Sequence, residues 1–156
     1  MKSKLALVIA CALPLSAMAN KSSIDEAKER LAGNGVNEVD WYKKGDTDFA
    51  ETSNKYFQSK VALNESKAAA RVKASDKMFA YTGTMICMAL TELIPHEKSV
   101  KSWSDDWKPT EHEKIIYDVV KTDAQLGKES QAEVNGWLIR YKAISDLEVE
   151  CSVKKL

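Results

Sequence analysis

The sequence predicts an all-α protein, a compact bundle of about four main helices with a shorter helix at its N-terminal end. Apolar residues recur at three- and four-residue spacings, which is typical of helices with one buried face. At the predicted starts of three helices a serine or threonine stands three residues before a glutamate, as in a capping box. No run of β-branched residues alternates with polar ones, so the pattern does not call for a sheet.

The first nineteen residues have the three-part plan of a secretory signal peptide. Lys2 and Lys4 precede a run of about ten apolar residues, and Ala17-Met18-Ala19 forms a small-residue exit. The run is too short to cross a hydrocarbon core, which needs about twenty apolar residues. We expect cleavage after Ala19 and export to a bacterial periplasm. The alternative is a lipoprotein box ending at Cys11, which would leave the alanine exit unused.

The mature chain is expected to form one domain over residues 20–156. Removing 19 of the 156 residues leaves 137, enough for a single buried core. Loss of Lys2 and Lys4 leaves 21 basic and 23 acidic residues, a net charge of −2. This balance argues against a general nucleic-acid-binding protein, which would be strongly basic. The mature sequence contains no apolar run long enough to predict a membrane span.

Two cysteines, Cys87 and Cys151, remain after removal of the signal peptide. An even count in an oxidising compartment predicts a disulfide, which would close a loop of about 64 residues. In the chain-entropy treatment such a bridge stabilises the fold by roughly 4 kcal/mol. The alternative is two buried free thiols that pack as small apolar groups.

Capping signals define the first helix. Ser23-Ile24-Asp25-Glu26 has capping-box spacing, and Gly33-Asn34-Gly35 is expected to end the helix. A second short turn is predicted to carry Trp41 and Tyr42.

Residues 47–94 contain no proline and predict the longest helical region. We expect two helices, roughly 47–73 and 76–94, and a single long helix is the alternative. The apolar residues at helical spacing in the first part are Phe49, Tyr56, Phe57, Val61, Ala68 and Val72.

An irregular connection over 95–109 precedes the last two predicted helices. Thr110-Glu111-His112-Glu113 is a capping box that opens one helix, which Gly127 is expected to close. A third box, Ser130-Gln131-Ala132-Glu133, opens a helix running to Cys151. A disulfide would then join the end of this helix to the middle of the 76–94 helix.

Motifs for catalysis are scarce in this sequence. His96 and His112 are the only histidines, and His112-Glu113 is not followed by a second histidine at zinc-protease spacing. The sequence lacks a G-x-S-x-G nucleophile elbow, a C-x-x-C pair and a calcium-loop pattern. We therefore predict no catalytic residue, no metal site and no cofactor.

Trp103, Asp105, Asp106 and Trp107 are the candidate binding residues, and all four lie in the irregular connection. Tryptophan is enriched at interface hot spots, and neighbouring carboxylates attract a basic partner. The alternative is that both indoles fold back and cap the bundle.

Basic residues recur between Lys55 and Lys77 and are interpreted as the solvated surface of a helix. Docking of an anion or of a membrane is the alternative. The other members of this group are Lys60, Lys67, Arg71 and Lys73.

These observations favour a periplasmic binding protein of the inhibitor or immunity type that occludes a protein partner, a toxin or a cell-wall hydrolase. In general character the chain is similar to the helical amidase-immunity proteins of type VI secretion systems, with no motif matched residue by residue. The expected mechanism is insertion of the Trp103–Trp107 connection into the partner. The alternatives are a periplasmic chaperone or envelope-stress factor, and a hydrolase with an unrecognised site.

Overall fold

The computed structural model describes residues 22–98, 108–121 and 124–156. The seven strands are β1 (Trp41–Lys44), β2 (Thr47–Ser53), β3 (Phe57–Asn64), β4 (Lys67–Ala74), β5 (Glu129–Val134), β6 (Trp137–Ser145) and β7 (Glu148–Lys155). The three helices are α1 (Ser23–Gly33), α2 (Tyr81–Leu90) and α3 (Glu111–Val119). The strands form one antiparallel sheet in the order β1-β2-β3-β4-β7-β6-β5, and the helices pack on one of its faces. The prediction of an all-α bundle of about four main helices is therefore wrong, and the part of residues 20–156 that the structure describes is built mainly on a sheet.

Two groups of consecutive strands build the sheet. The β1–β4 group and the β5–β7 group are each joined by short turns. They meet where β4 pairs with β7, in a register that places Lys67 opposite Lys154 and Lys73 opposite Glu148. Helices α2 and α3 lie in the connection between the two groups. The centre of the sheet thus joins residues more than seventy positions apart.

The predicted helix over 47–73 is replaced by strands β2, β3 and β4. In β4 every second residue is buried, as expected for a strand with one covered face. Residues four apart lie on one face of a strand as well as on one face of a helix. Pairs such as Phe57 and Val61, or Ala68 and Val72, therefore fit both structures. Several buried positions of β4 are alanines, which are small and give only a faint alternation of apolar and polar residues. Alanine is also the best helix former, so these positions favoured the helical interpretation.

The predicted helix from Ser130 to Cys151 is also absent. Strands β5 and β6 form a hairpin, with Val134 opposite Trp137. The two turn residues, Asn135 and Gly136, have φ angles of 49° and 75°. Asn-Gly is a strong signal for a two-residue hairpin turn because both residues accept positive φ. The predicted helix included these two residues, so the turn signal was missed.

Each of the other predicted helices has a helical counterpart, but with different bounds. Helix α3 ends at Val119, and not at Gly127 as expected. Helix α1 ends at Gly33, and it begins one residue earlier than the predicted cap implies, because Ser22 and not Ser23 is the N-cap: the Ser22 side chain accepts a hydrogen bond from the Asp25 amide. At the start of α3 the Thr110 hydroxyl accepts a bond from the Glu113 amide, and the Glu113 carboxylate accepts one from the Thr110 amide. The 76–94 prediction corresponds to α2 with a 3₁₀ turn at each end. The cap of α3, which needs no distant partner, was therefore predictable, and the cap of α1 was predictable to within one residue.

The core lies between the helices and the sheet face that they cover, called the covered face below. Helix α2 packs across β4 and β7, and a β-carbon added to Gly83 would lie 2.6 Å from Val149 Cγ2. Cys87 of α2 and Cys151 of β7 form the predicted disulfide, with Cα atoms 5.9 Å apart. The bridge joins a helix to a strand, and not two helices as expected. No helix in the described ranges is long and apolar enough to cross a membrane.

A candidate binding face on the open side of the sheet

The sheet face away from the helices, called the open face below, carries long polar side chains. Strand alternation places them there, since each buried residue of the covered face is flanked by outward-facing neighbours. Its charged members are Lys44, Glu51, Lys60, Lys67, Arg71, Lys73, Glu129, Glu133, Arg140, Lys142, Glu148, Glu150 and Lys154. Eight are basic and five acidic, a surplus of three positive charges in a chain with zero formal net charge. The open face is therefore a positive side of the molecule.

A row of small residues crosses the middle of the open face. Ala62, Ala69 and Ser152 lie side by side on β3, β4 and β7. Tyr42 and Phe49 stack at one end of the row, with ring centroids 5.6 Å apart and an angle of 18° between planes. We call this depression the cross-strand trough. Its aromatic end opens into a groove of about 370 Å³.

Basic residues border the cross-strand trough on both sides. Lys60 lies directly opposite Arg71 on one side, and Lys67 lies directly opposite Lys154 on the other. Like charges at directly opposite positions of neighbouring strands destabilise a sheet. The open face therefore holds two electrostatically unfavourable pairs close to the same row of small side chains.

Local carboxylates neutralise the first of these pairs. Glu51 lies 3.6 Å from Lys60, and Arg71 Nε donates to Glu148 at 2.6 Å. The hydrogen bond to Glu148 and then the charge of that carboxylate raise the pKa of Arg71. This side borders a second groove, of about 540 Å³, that also includes Lys73.

Lys67 and Lys154, the second pair, are different. Within the described part of the chain neither lysine forms an ion pair. Both are exposed, and the Asn64 and Leu138 positions flank them in register. The two ammonium groups are therefore available to an anionic group from outside the chain.

A second charged cluster lies on the helical side. Glu92 is only 8% exposed, and it receives hydrogen bonds or ion pairs from Arg30 and from Lys98, the latter at 2.7 Å. Lys98 also lies 2.8 Å from Glu26. The cluster borders a cavity of about 270 Å³. Because its charges compensate one another across α1 and the 3₁₀ turn after α2, it ties these two elements together.

The four predicted binding residues, Trp103, Asp105, Asp106 and Trp107, lie outside the described residues, as do the predicted signal peptide and Cys11.

The two histidines lie in different elements of the fold. His96 Nδ1 is 2.7 Å from the Ile94 carbonyl oxygen, and His112 lies in the first turn of α3. In the described ranges no group of three His, Cys, Asp or Glu side chains is arranged to hold a metal ion.

Sequence reasoning identified the basic residues of the open face but placed them on a helix. Lys60, Lys67, Arg71 and Lys73 all share the open face once the chain pairs as strands. On a helix the same residues would point in several directions. The available signal was that positions 67, 71 and 73 are separated by even numbers of residues, which puts their side chains on one side of a strand. The two ends of the group separate: Lys55 lies over the Tyr56 ring at 4.8 Å, and Lys77 pairs with Asp146 at 3.8 Å.

Comparison of the chain with protein-family models, with curated proteins and with solved structures finds no match.

Proposed function

We propose that this chain is an exported periplasmic binding protein of the inhibitor or immunity type, and that it occludes a protein partner with its open face. The observation that carries the proposal is the uncovered sheet face with its aromatic-ended trough. An inhibitor of this type needs a rigid surface that covers a site on the partner, and a seven-stranded sheet is such a surface.

The open face has the size of a protein interface. Six strand spacings of about 4.8 Å and central strands of eight residues give a surface of about 29 by 26 Å. The product, about 750 Å², is close to the roughly 800 Å² that one partner contributes to a stable complex. The face is therefore large enough to bind one protein without help from other surfaces.

Aromatic side chains supply an anchor point on this surface. Tyr42 is 50% exposed and stacks on Phe49, which fixes its ring at the end of the cross-strand trough. Tyrosine and arginine dominate interface hot spots, and charged residues typically surround such an anchor. We expect Tyr42 to bind an apolar group of the partner.

Export is supported by the disulfide between Cys87 and Cys151, because such bridges persist in oxidising compartments. The signal peptide over 1–19 and the periplasmic location remain proposals. Insertion of the Trp103–Trp107 connection into the partner also remains a prediction.

A chaperone is the second candidate, and an exposed apolar patch at one end of the sheet favours it. Met78 is 82% exposed and Tyr81 is 55% exposed. They are one and two residues from Phe79, whose ring packs against the Tyr56 ring with centroids 4.8 Å apart. A flexible methionine next to aromatic rings suits the binding of varied apolar segments.

Two exposed tyrosines allow a matched test. Tyr42→Ala removes the anchor of the open face, and Tyr81→Ala removes a similarly exposed ring from the apolar patch. Wild type and both variants are used to isolate partners from periplasmic extract, and the affinity for each purified partner is measured by calorimetry. We expect a single stoichiometric partner whose dissociation constant rises by about tenfold or more with Tyr42→Ala and changes less than about twofold with Tyr81→Ala.

The opposite result would support the chaperone. In that case many clients bind weakly, aggregation of unrelated proteins is suppressed, and only Tyr81→Ala weakens these effects. A Trp103→Ala/Trp107→Ala double variant tests the connection separately, and unchanged affinity in that variant contradicts its role.

A further inference from the structure

We propose that the partner contributes an acidic protein segment to the cross-strand trough, and that its carboxylates bind Lys67 and Lys154. This inference rests on the proposed function for the statement that the open face is the docking surface. It adds the chemistry of the segment that docks there.

Charge is the first support. On the three central strands the open face has five basic side chains and two acidic ones, Glu148 and Glu150. Protein interfaces pair surfaces of opposite potential, which speeds association and excludes wrong partners. An acidic segment is the complement of this part of the sheet.

The unfavourable lysine pair is the second support. Lys67 and Lys154 repel each other in the free protein, and within the described residues no carboxylate compensates them. A carboxylate placed between two ammonium groups replaces this repulsion with two attractions. An acidic segment therefore gains electrostatic binding free energy from the lysine pair, and a neutral segment does not.

The dimensions of the trough are the third support. Arg71 and Lys67 are four residues apart on β4, about 13 Å, with the small side chain of Ala69 between them. Along the other direction the trough runs from Tyr42 on β1 to Arg140 on β6, five strand spacings or about 24 Å. This space fits an extended segment of about seven or eight residues lying across the strands.

The pattern of carboxylates favours a protein over a uniformly anionic polymer or membrane. Glu51, Glu148 and Glu150 alternate with the basic residues and would repel a surface that is negative everywhere. A polypeptide can place carboxylates opposite the lysines and neutral or basic groups opposite the glutamates. A second copy of this chain is disfavoured, because two open faces each carry a positive surplus.

The test uses defined peptides as probes, so that it does not depend on isolating the partner. An eight-residue peptide of alternating glutamate and alanine is titrated into the mature protein at low ionic strength, and amide shifts are recorded by NMR. The peptide with lysine in place of glutamate is the matched probe. We expect shifts concentrated on β3, β4 and β7 with the acidic peptide, and binding at least about fivefold weaker with the basic one.

Matched variants then locate the site. Lys67→Gln/Lys154→Gln removes the lysine pair, and Lys43→Gln/Lys114→Gln removes the same charge from exposed positions on the helical side. We expect the first variant to raise the dissociation constant of the acidic peptide about fivefold or more, and the second to change it less than about twofold. A rise in ionic strength to 0.3 M should weaken binding in the wild type, since exposed charges are screened.

Several results would overturn the inference. These are equal binding of the two peptides, unchanged binding in Lys67→Gln/Lys154→Gln, and tighter binding of an anionic phospholipid vesicle or a DNA oligomer than of the acidic peptide. The two proposals fail separately. If Tyr42→Ala weakens partner binding while the acidic peptide does not bind, occlusion stands and the acidic segment is wrong. If the acidic peptide binds at the lysine pair while no protein partner is found, the preference for an acidic segment stands and occlusion of a protein partner is wrong.

Discussion

The two faces of one sheet have opposite chemistry, and strand β4 shows it most clearly. On the covered face β4 presents Ala68, Ala70 and Val72 to helix α2, and on the open face it presents Lys67 and Arg71. Small apolar side chains on one side let a helix approach closely, whereas long charged ones on the other side stay solvated. Stability should therefore depend mainly on the covered face and recognition on the open face. Substitutions on the two faces test this division.

Removal of the disulfide is expected to have the largest effect. In Cys87→Ala/Cys151→Ala the link between α2 and β7 is lost, and the unfolded chain regains the entropy of a loop spanning a separation of 64 residues. We expect the free energy of unfolding to fall by about 4 kcal/mol. Urea unfolding of the variant and of the oxidised wild type measures the difference. A loss below about 1 kcal/mol would show that packing alone holds the covered face together.

Crowding between α2 and the sheet is the next largest effect. Gly83→Ala places a methyl group 2.6 Å from Val149 Cγ2, so the helix or the strand must shift. We expect a loss of about 1–3 kcal/mol in unfolding free energy. Gly33→Ala in α1 is the control, because nothing lies within 4 Å of the added group there. It should be neutral or stabilise by up to about 1 kcal/mol. Equal effects in the two variants would contradict close packing at Gly83.

The covered face also contains a buried phenol whose loss should have a smaller effect. Tyr141 Oη lies 3.1 Å from Thr84 Oγ1, and Tyr141→Phe should cost about 1 kcal/mol through the lost hydrogen bond. Burial raises the pKa of Tyr141, partly opposed by the bond with Thr84. The unfolded state therefore loses this proton first, near pH 10, and stability falls as the pH rises above that value. The fall should be shallower in Tyr141→Phe when unfolding is followed between pH 8 and pH 11. An unchanged slope would assign the alkaline loss to other groups.

Charge reversal on the open face is expected to have the smallest effect on stability and a large effect on binding. Lys154→Glu converts the pair with Lys67 into an attractive one, which should stabilise the fold by about 0.5 kcal/mol. Binding of the acidic peptide should be lost in the same protein. Lys142→Glu is the control, because Lys142 lies between Glu129 and Glu150 and its reversal should destabilise. Thermal unfolding of both variants gives the two signs. Destabilisation by Lys154→Glu would show that the lysine pair is not strained in the free protein.

Predictability from sequence was limited by the range of the interactions. The caps of α1 and α3 involve residues three positions apart, so their signals could be found locally. The strands of the open face depend on partners that the local pattern does not reveal, such as Lys154 for Lys67. Spacings of four residues fit a helix and a strand equally, and the Asn135-Gly136 turn was the one local sign of a hairpin in the last part.

The candidate site was predictable in composition and not in arrangement. The sequence identified a basic group with the members Lys60, Lys67, Arg71 and Lys73. The helical interpretation pointed their side chains in several directions, so it did not predict a shared surface. Tyr42 was expected in a short turn, whereas the structure stacks it on Phe49 at the end of the trough. Trp103 and Trp107 lie outside the described residues, so their role in partner binding stays a prediction.

The sequence by itself determined local features of this protein: the capped starts of two helices to within one residue, the apolar helix around Cys87, and the pairing of Cys87 with Cys151. The caps depend on contacts within a few residues, and the cysteine pairing was predicted from an even count that rests on the expected signal peptide. Only the tertiary structure decided that most of the remaining chain pairs as strands. It also aligned the basic residues of β3, β4 and β7 on one uncovered face. The physical reason is that a strand is stabilised by hydrogen bonds to a neighbour far away in sequence, so its partner and its exposed face exist only after folding.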